Sequence, residues 1–152
     1  MCASARISSV NENEELLRRP IGWWLKEADA RLDAAFDASL AARSVDRRAW
    51  QVLATLARSA ARRQEVAASL ASFDDPAVVD GVVDKLSERG WVVELSDGSL
   101  QLTPDGIREQ QALGSLVEEV RHKVAKALPE EDYITLVRLL ARLVRGLPET
   151  SG

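Results

Sequence analysis

Residues 91–103 read WVVELSDGSLQLT, and they break the pattern of the chain around them. Elsewhere Ala, Leu and Arg recur at helical spacing. Here Val93 and Leu95 fall at alternate positions, and so do Leu100 and Leu102 beyond the turn. Between the two runs lies Ser96-Asp97-Gly98-Ser99, and Asp-Gly between alternating apolar runs is the strongest short-range signal for a β-hairpin. One hairpin in a helical chain is informative mainly through its place in the order of elements.

Upstream, the spacing predicts four helices. The first runs from about Pro20 to Ala42, with Ile21, Leu25, Ala28, Leu32, Ala35, Phe36 and Leu40 on one face. The second follows the N-cap Asp46 and carries Trp50, Leu53, Leu56 and Ala57. A short third covers about Arg63 to Leu70, with Val66, Ala67 and Leu70 inward. The break ASFDDP introduces a fourth, with Asp75 as cap and Pro76 in its first turn, ending at Gly90. Val79, Val82, Val83 and Leu86 form its buried stripe.

Downstream, Thr103 caps and Pro104 opens a long fifth helix bearing Ile107, Leu113, Leu116, Val117, Val120 and Val124. Pro129 breaks it. A last helix, from about Glu130 to Leu147, carries the stripe Tyr133, Val137, Leu140, Val144, widened by Leu136, Leu139, Leu143 and Leu147. Residues 1–19 read as a flexible arm and 20–152 as one domain. There is no internal repeat.

The 152 residues fit one domain. Hydrophobic residues are 46% and charged residues 29%, which speaks against wholesale disorder. The net charge of −4 argues against a broadly basic nucleic-acid coat and leaves room for a local patch. A single cysteine, Cys2, allows no internal disulfide and suits a reducing compartment. With neither a signal peptide nor a run of about 20 apolar residues in the sequence, a cytoplasmic protein is expected.

Two short helices and a tight turn followed by a hairpin describe a winged helix-turn-helix. The expected fold is mainly α with one small hairpin, the wing. A DNA-binding lobe at about 46–103 lies between dimerisation helices at about 20–42 and 104–147. The outer helices bear apolar stripes that one small domain cannot cover, which suggests a homodimer. Leu136, Leu140, Leu143 and Leu147 are expected in its interface.

At this point the chain resembles the MarR family of bacterial transcriptional regulators, over about residues 20–147. SVDRRAWQVLATL is similar to that family's second helix, and VVDKLSERGWV to the end of its recognition helix. LQLTPDG resembles the returning wing strand, which ends in Leu-Thr-x-x-Gly, and LPEEDYITLVRLLARL the closing dimerisation helix. The resemblance implies a homodimer on palindromic operator DNA, usually a repressor, commonly released by a small and often aromatic ligand.

Aligned from Leu86 and Gly90, the groove-facing positions are Ala77, Val78, Asp80 and Gly81, with Lys85 the only cation on that part of the helix. None of those four makes a bidentate guanine contact. Asp74 to Gly90 carry a local charge of −3, and Glu94 to Leu102 contain no Arg or Lys where family wings usually carry arginine. Gly98 marks the wing tip. Positive charge lies elsewhere. From Arg43 to Arg63 six arginines face one acid, a local charge of +5. Arg47, Arg48, Arg62, Arg63 and Gln64 are the expected DNA-contacting residues of that segment, and backbone-directed arginines give affinity without sequence readout. The other reading of this block is a solvated face making ion pairs.

Trp23, Trp24, Phe36 and Trp50 are the expected ligand-binding residues, in a pocket between the first two helices and the fifth; core packing is the alternative for each. Adjacent tryptophans cannot both enter one packing seam, so one should be partly exposed. His122 and Cys2 form no metal site of ordinary spacing, and no cofactor motif is present. No catalytic motif is visible either. Two readings stay open: a DNA-binding regulator, and a winged-helix dimer without specific readout that serves as an interaction or ligand-binding module.

Overall fold

The computed structural model describes residues 12–149. Helix α1 spans Ile21–Leu40 and passes through a 3-10 turn, Ala41–Arg43. Helix α2 spans Arg47–Arg58, strand β1 Ala61–Arg62, α3 Arg63–Ser69 and α4 Pro76–Glu88. Strands β2 (Val92–Glu94) and β3 (Ser99–Leu102) form the wing, followed by α5 (Pro104–Ala127) and α6 (Glu130–Gly146). Residues 12–17 are also helical, within the stretch expected to be an arm. Residues 1–11 of that arm, Cys2 included, lie outside the described residues.

Local chemistry places the ends. The Asp46 carboxylate accepts the Ala49 N–H at 2.8 Å, and Thr103 Oγ1 accepts the Gly106 N–H at 3.0 Å. Asp75 occupies the cap position of α4 but its side chain accepts no backbone hydrogen bond, contrary to expectation; Pro76 at the first turn leaves one donor fewer to satisfy. Gly90 ends that region with φ +76°, a conformation glycine adopts without cost.

The hairpin is part of a three-stranded antiparallel sheet in the order β1-β3-β2. β2 pairs with β3 through Val92 opposite Leu102 and Glu94 opposite Leu100. The added strand pairs Ala61 with Leu100 and Arg62 with Ser99. Two residues carry no alternation, so β1 left no mark in the sequence. At the tip the Leu95 N–H donates to Ser99 O at 2.8 Å, and the Gly98 N–H to Leu95 O at 2.9 Å. Gly98 has φ +80°, which closes a three-residue turn with a left-handed glycine.

The core lies between α2, α3, α4, α5 and the sheet. Its centre is Val52, Leu53, Val66, Val79, Val83, Leu100 and Leu113, all fully buried. Trp50, expected in the stripe, is only half-buried, and Val52 takes the inward place instead. Gly106 shows why the string Leu-Thr-x-x-Gly ends in glycine. A Cβ there would lie 2.0 Å from the Trp91 carbonyl oxygen, the same oxygen that accepts the Thr103 N–H at 3.0 Å. α6 buries none of its residues; Tyr133, Val137, Leu139 and Val144 are all exposed, Val144 at 71%. Among the described residues no helix is long and apolar enough to cross a membrane.

Candidate nucleic-acid interface and ligand cavity

The outward faces of α3, α4 and the wing hold the expected DNA-facing positions. Ala77, Val78, Asp80, Gly81 and Lys85 are exposed on α4, because Val79, Val83 and Leu86 take its buried side. Arg62 and Gln64 are exposed at the start of α3, where Glu65 accepts the Arg62 N–H at 2.7 Å. At the wing tip Gly98 is half-buried. The Ser99 hydroxyl (2.6 Å) and backbone N–H (2.9 Å) both donate to Asp97, and they hold its carboxyl below the usual range. A Cβ at Gly81 would meet nothing within 4 Å, so no close approach among the described residues accounts for that glycine.

Of the two readings of the arginine block, the ion pairs of Arg43, Arg47, Arg48 and Arg63 favour the second. Arg47 Nη1 donates to Asp33 at 2.6 Å, and its guanidinium lies 4.8 Å from the Phe36 ring centre. The Arg47 backbone N–H donates to Asp37 at 2.8 Å. Arg48 Nε donates to Asp74 at 2.7 Å, and Nη2 to the Phe73 carbonyl at 3.4 Å. With side chains 16% and 14% exposed, these two arginines tie α2 to α1 and to the turn before α4. Arg43 donates to both oxygens of Glu109 at 3.1 Å. Arg63 Nη2 donates to Asp84 at 2.8 Å, and Asp80 and Glu94 each lie 3.7 Å from the same guanidinium. The Asp84 hydrogen bond, aided by the charges of Asp84, Asp80 and Glu94, raises the Arg63 pKa above its usual value despite partial burial. Each partner is distant in sequence, so a charge count along the chain could not reveal the pairing. Among the described residues Arg58 and Arg62 form no ion pair.

The ligand-facing expectation divides. Phe36 does line a cavity of about 490 Å³, with Leu32 of α1, Val124 and Leu128 at the end of α5, and Tyr133 of α6. Arg47, Arg121 and Glu130 also line it, with Arg47 paired to Asp33 and Arg121 to Glu118. Trp23 and Trp24 are not among its lining residues: about 18 Å of helix separates Trp24 from Phe36. They meet edge to face instead, 4.8 Å apart, with Arg19 over Trp23 at 3.9 Å and Trp24 Nε1 donating to Leu16 O at 3.3 Å. Trp24 is 40% exposed, as adjacency required of one of the pair. Trp50 lines a separate cavity of about 300 Å³ with Thr55 and Arg58. Leu32, one turn before Phe36, was readable as its companion. Tyr133, Arg47 and Arg121 were not, since only packing brings their helices together.

No protein-family model matches the sequence, and no curated protein matches it either. Solved structures do. A probable transcriptional regulator from Pseudomonas aeruginosa is 27% identical over 84% of this chain and 98% of its own, with a TM-score of 0.72. The regulator NadR, in complex with 4-hydroxyphenylacetate, is 26% identical over 83% and 96%, with a TM-score of 0.69. A MarR-family protein of Mycobacterium tuberculosis, in complex with DNA, is 23% identical over 82% and 98%, with a TM-score of 0.66. The resemblance to the MarR family holds: this chain has the winged-helix fold of MarR-family regulators.

Proposed function

We propose that this MarR-type chain is a cytoplasmic, homodimeric transcriptional regulator. In this reading it binds duplex DNA through α3, α4 and the wing, and responds to a small apolar or aromatic ligand in the Phe36 cavity. The observation that carries the reading is a complete helix-turn-helix and wing joined to that cavity through Arg47. This residue opens α2 at the foot of the DNA lobe and lines the cavity wall. The uncovered apolar face of α6 supports the dimer. The cavity is lined mainly by apolar and aromatic residues, and 4-hydroxyphenylacetate, an aromatic compound bound by the neighbour NadR, is the first probe.

Fluorescence anisotropy tests the reading with duplexes from the protein's own promoter region and with random duplexes. The promoter duplex is expected to bind at least about tenfold tighter than random sequence. 4-Hydroxyphenylacetate is expected to weaken that binding in the native chain and not in Phe36→Ala. Equal affinity for both duplexes would remove specific readout. No binding at low salt would favour the second reading, a winged-helix dimer serving as an interaction or ligand-binding module. The paired arginines and the −3 charge of Asp74–Gly90 are what speak for it.

A further inference from the structure

Arg63 is the first residue of α3, the helix that crosses the nucleic-acid backbone in helix-turn-helix docking. It is well placed to meet a phosphate, yet its guanidinium is engaged within the chain. The three carboxylates around it come from two other elements. Asp80 and Asp84 lie one turn apart on the exposed face of α4, and Glu94 ends β2 in the wing. Their side chains are 52%, 60% and 52% exposed, against 32% for Arg63. Such half-solvated pairs are weak and exchangeable. An incoming phosphate oxygen therefore offers Arg63 a replacement partner, at the cost of leaving the carboxylates to face the DNA.

We propose that Arg63 is an intramolecular latch that sets DNA discrimination: Asp80, Asp84 and Glu94 compete with backbone phosphates for its guanidinium. This rests on the reading of the chain as a DNA-binding protein. Random duplex offers only phosphates, and these must displace three carboxylates before Arg63 contributes. A duplex that engages α4 in the groove holds its phosphate in place, and the exchange becomes intramolecular. The acids of the recognition helix thus lower non-specific binding more than specific binding, which is how repulsive elements produce selectivity.

Simple repulsion between the acids and DNA would also weaken binding, but it would not pass through Arg63. A double-mutant cycle on the full chain separates the two. The native chain, Asp84→Asn, Arg63→Gln and the double variant are titrated with a random duplex at several salt concentrations. Asp84→Asn is expected to tighten binding about fivefold and steepen the salt slope by about one unit, because a freed arginine gains one phosphate. In the Arg63→Gln background the same change should alter affinity less than about twofold. Arg63→Met keeps much of the length of the side chain and loses the charge, and serves the same cycle if Arg63→Gln does not fold. Equal gains from Asp84→Asn with and without Arg63 would overturn the latch and leave DNA binding standing. No binding by any of the four proteins at low salt would overturn both.

Discussion

The winged lobe and helix α6 satisfy themselves in opposite ways. In the lobe, α2 buries Val52, Leu53 and Leu56, and four of the block's six arginines find carboxylates within the chain. α6 has a comparable apolar stripe, yet every residue of it retains solvent contact, and Tyr133, Leu136, Leu139 and Val144 are exposed. Near the other end of the chain Leu17 and Ile21 are exposed as well, at 82% and 60%. The lobe closes its core with the help of Leu40 from α1 and Leu113 and Val117 from α5. Among the described residues nothing covers the stripe of α6, and an uncovered stripe of that length is costly in water, which is what supports the proposed dimer.

The largest expected effect breaks the α6 side of this comparison. Leu136→Asp combined with Leu139→Asp should convert a stable dimer to monomers in sedimentation at micromolar concentration, while circular dichroism still reports a folded lobe. The expected interface exceeds about 2,000 Å², so two buried carboxylates should be enough to open it. A native chain that sediments as a monomer would end the dimer reading.

Next in size is a change inside the lobe. Gly106→Ala sets a Cβ against the Trp91 carbonyl and should lower stability by about 2–3 kcal/mol, read by urea denaturation. Because the clash is with backbone, no side-chain rotation relieves it. An alanine tolerated without loss would show that the β2–α5 junction is looser than its geometry.

Gly81→Ala sharpens the comparison from the other direction. Nothing in the chain lies near the added methyl, so stability should rise by up to about 1 kcal/mol, the helix-propensity gain. If the gain appears and DNA affinity falls, glycine is there to let a groove approach the α4 backbone. If affinity is unchanged, Gly81 has no contact role.

The smallest effect concerns the wing turn. The Ser99 hydroxyl, then its backbone N–H, holds the Asp97 carboxyl below its ordinary value. The turn is therefore stabilised at pH above the ordinary carboxylate range, and that contribution fades as pH falls through the lowered, folded value. An NMR titration of Asp97 should show the depressed midpoint, and Ser99→Ala should move it back upward. An identical midpoint in both proteins would show that the Ser99 hydroxyl is not the cause.

Much of the fold was legible because its signals are local. Asp46 and Thr103 cap the helices they were expected to cap, and Gly98 turns the hairpin. These features depend on residues a few positions apart, as does helical spacing, and a sequence displays them directly; alternation around β2 misled, because Val93 and Leu95 are exposed and Val92 takes the buried side. What lay beyond reach was every pairing across elements. β1 exists only because β3 offers it an edge. The cavity that Phe36 lines sits at the C-terminal half of α1, where α5 and α6 come beside it, so Trp23 and Trp24 are not among its lining residues. The arginines read as one basic block until Asp33, Asp74, Asp84 and Glu109 came beside them. Residue order by itself determined which elements form and where they stop, through caps, periodicity and turns that act over one helical turn. Only the tertiary structure decided which charges remain free and which apolar faces remain bare, since those follow from contacts between residues far apart in the chain.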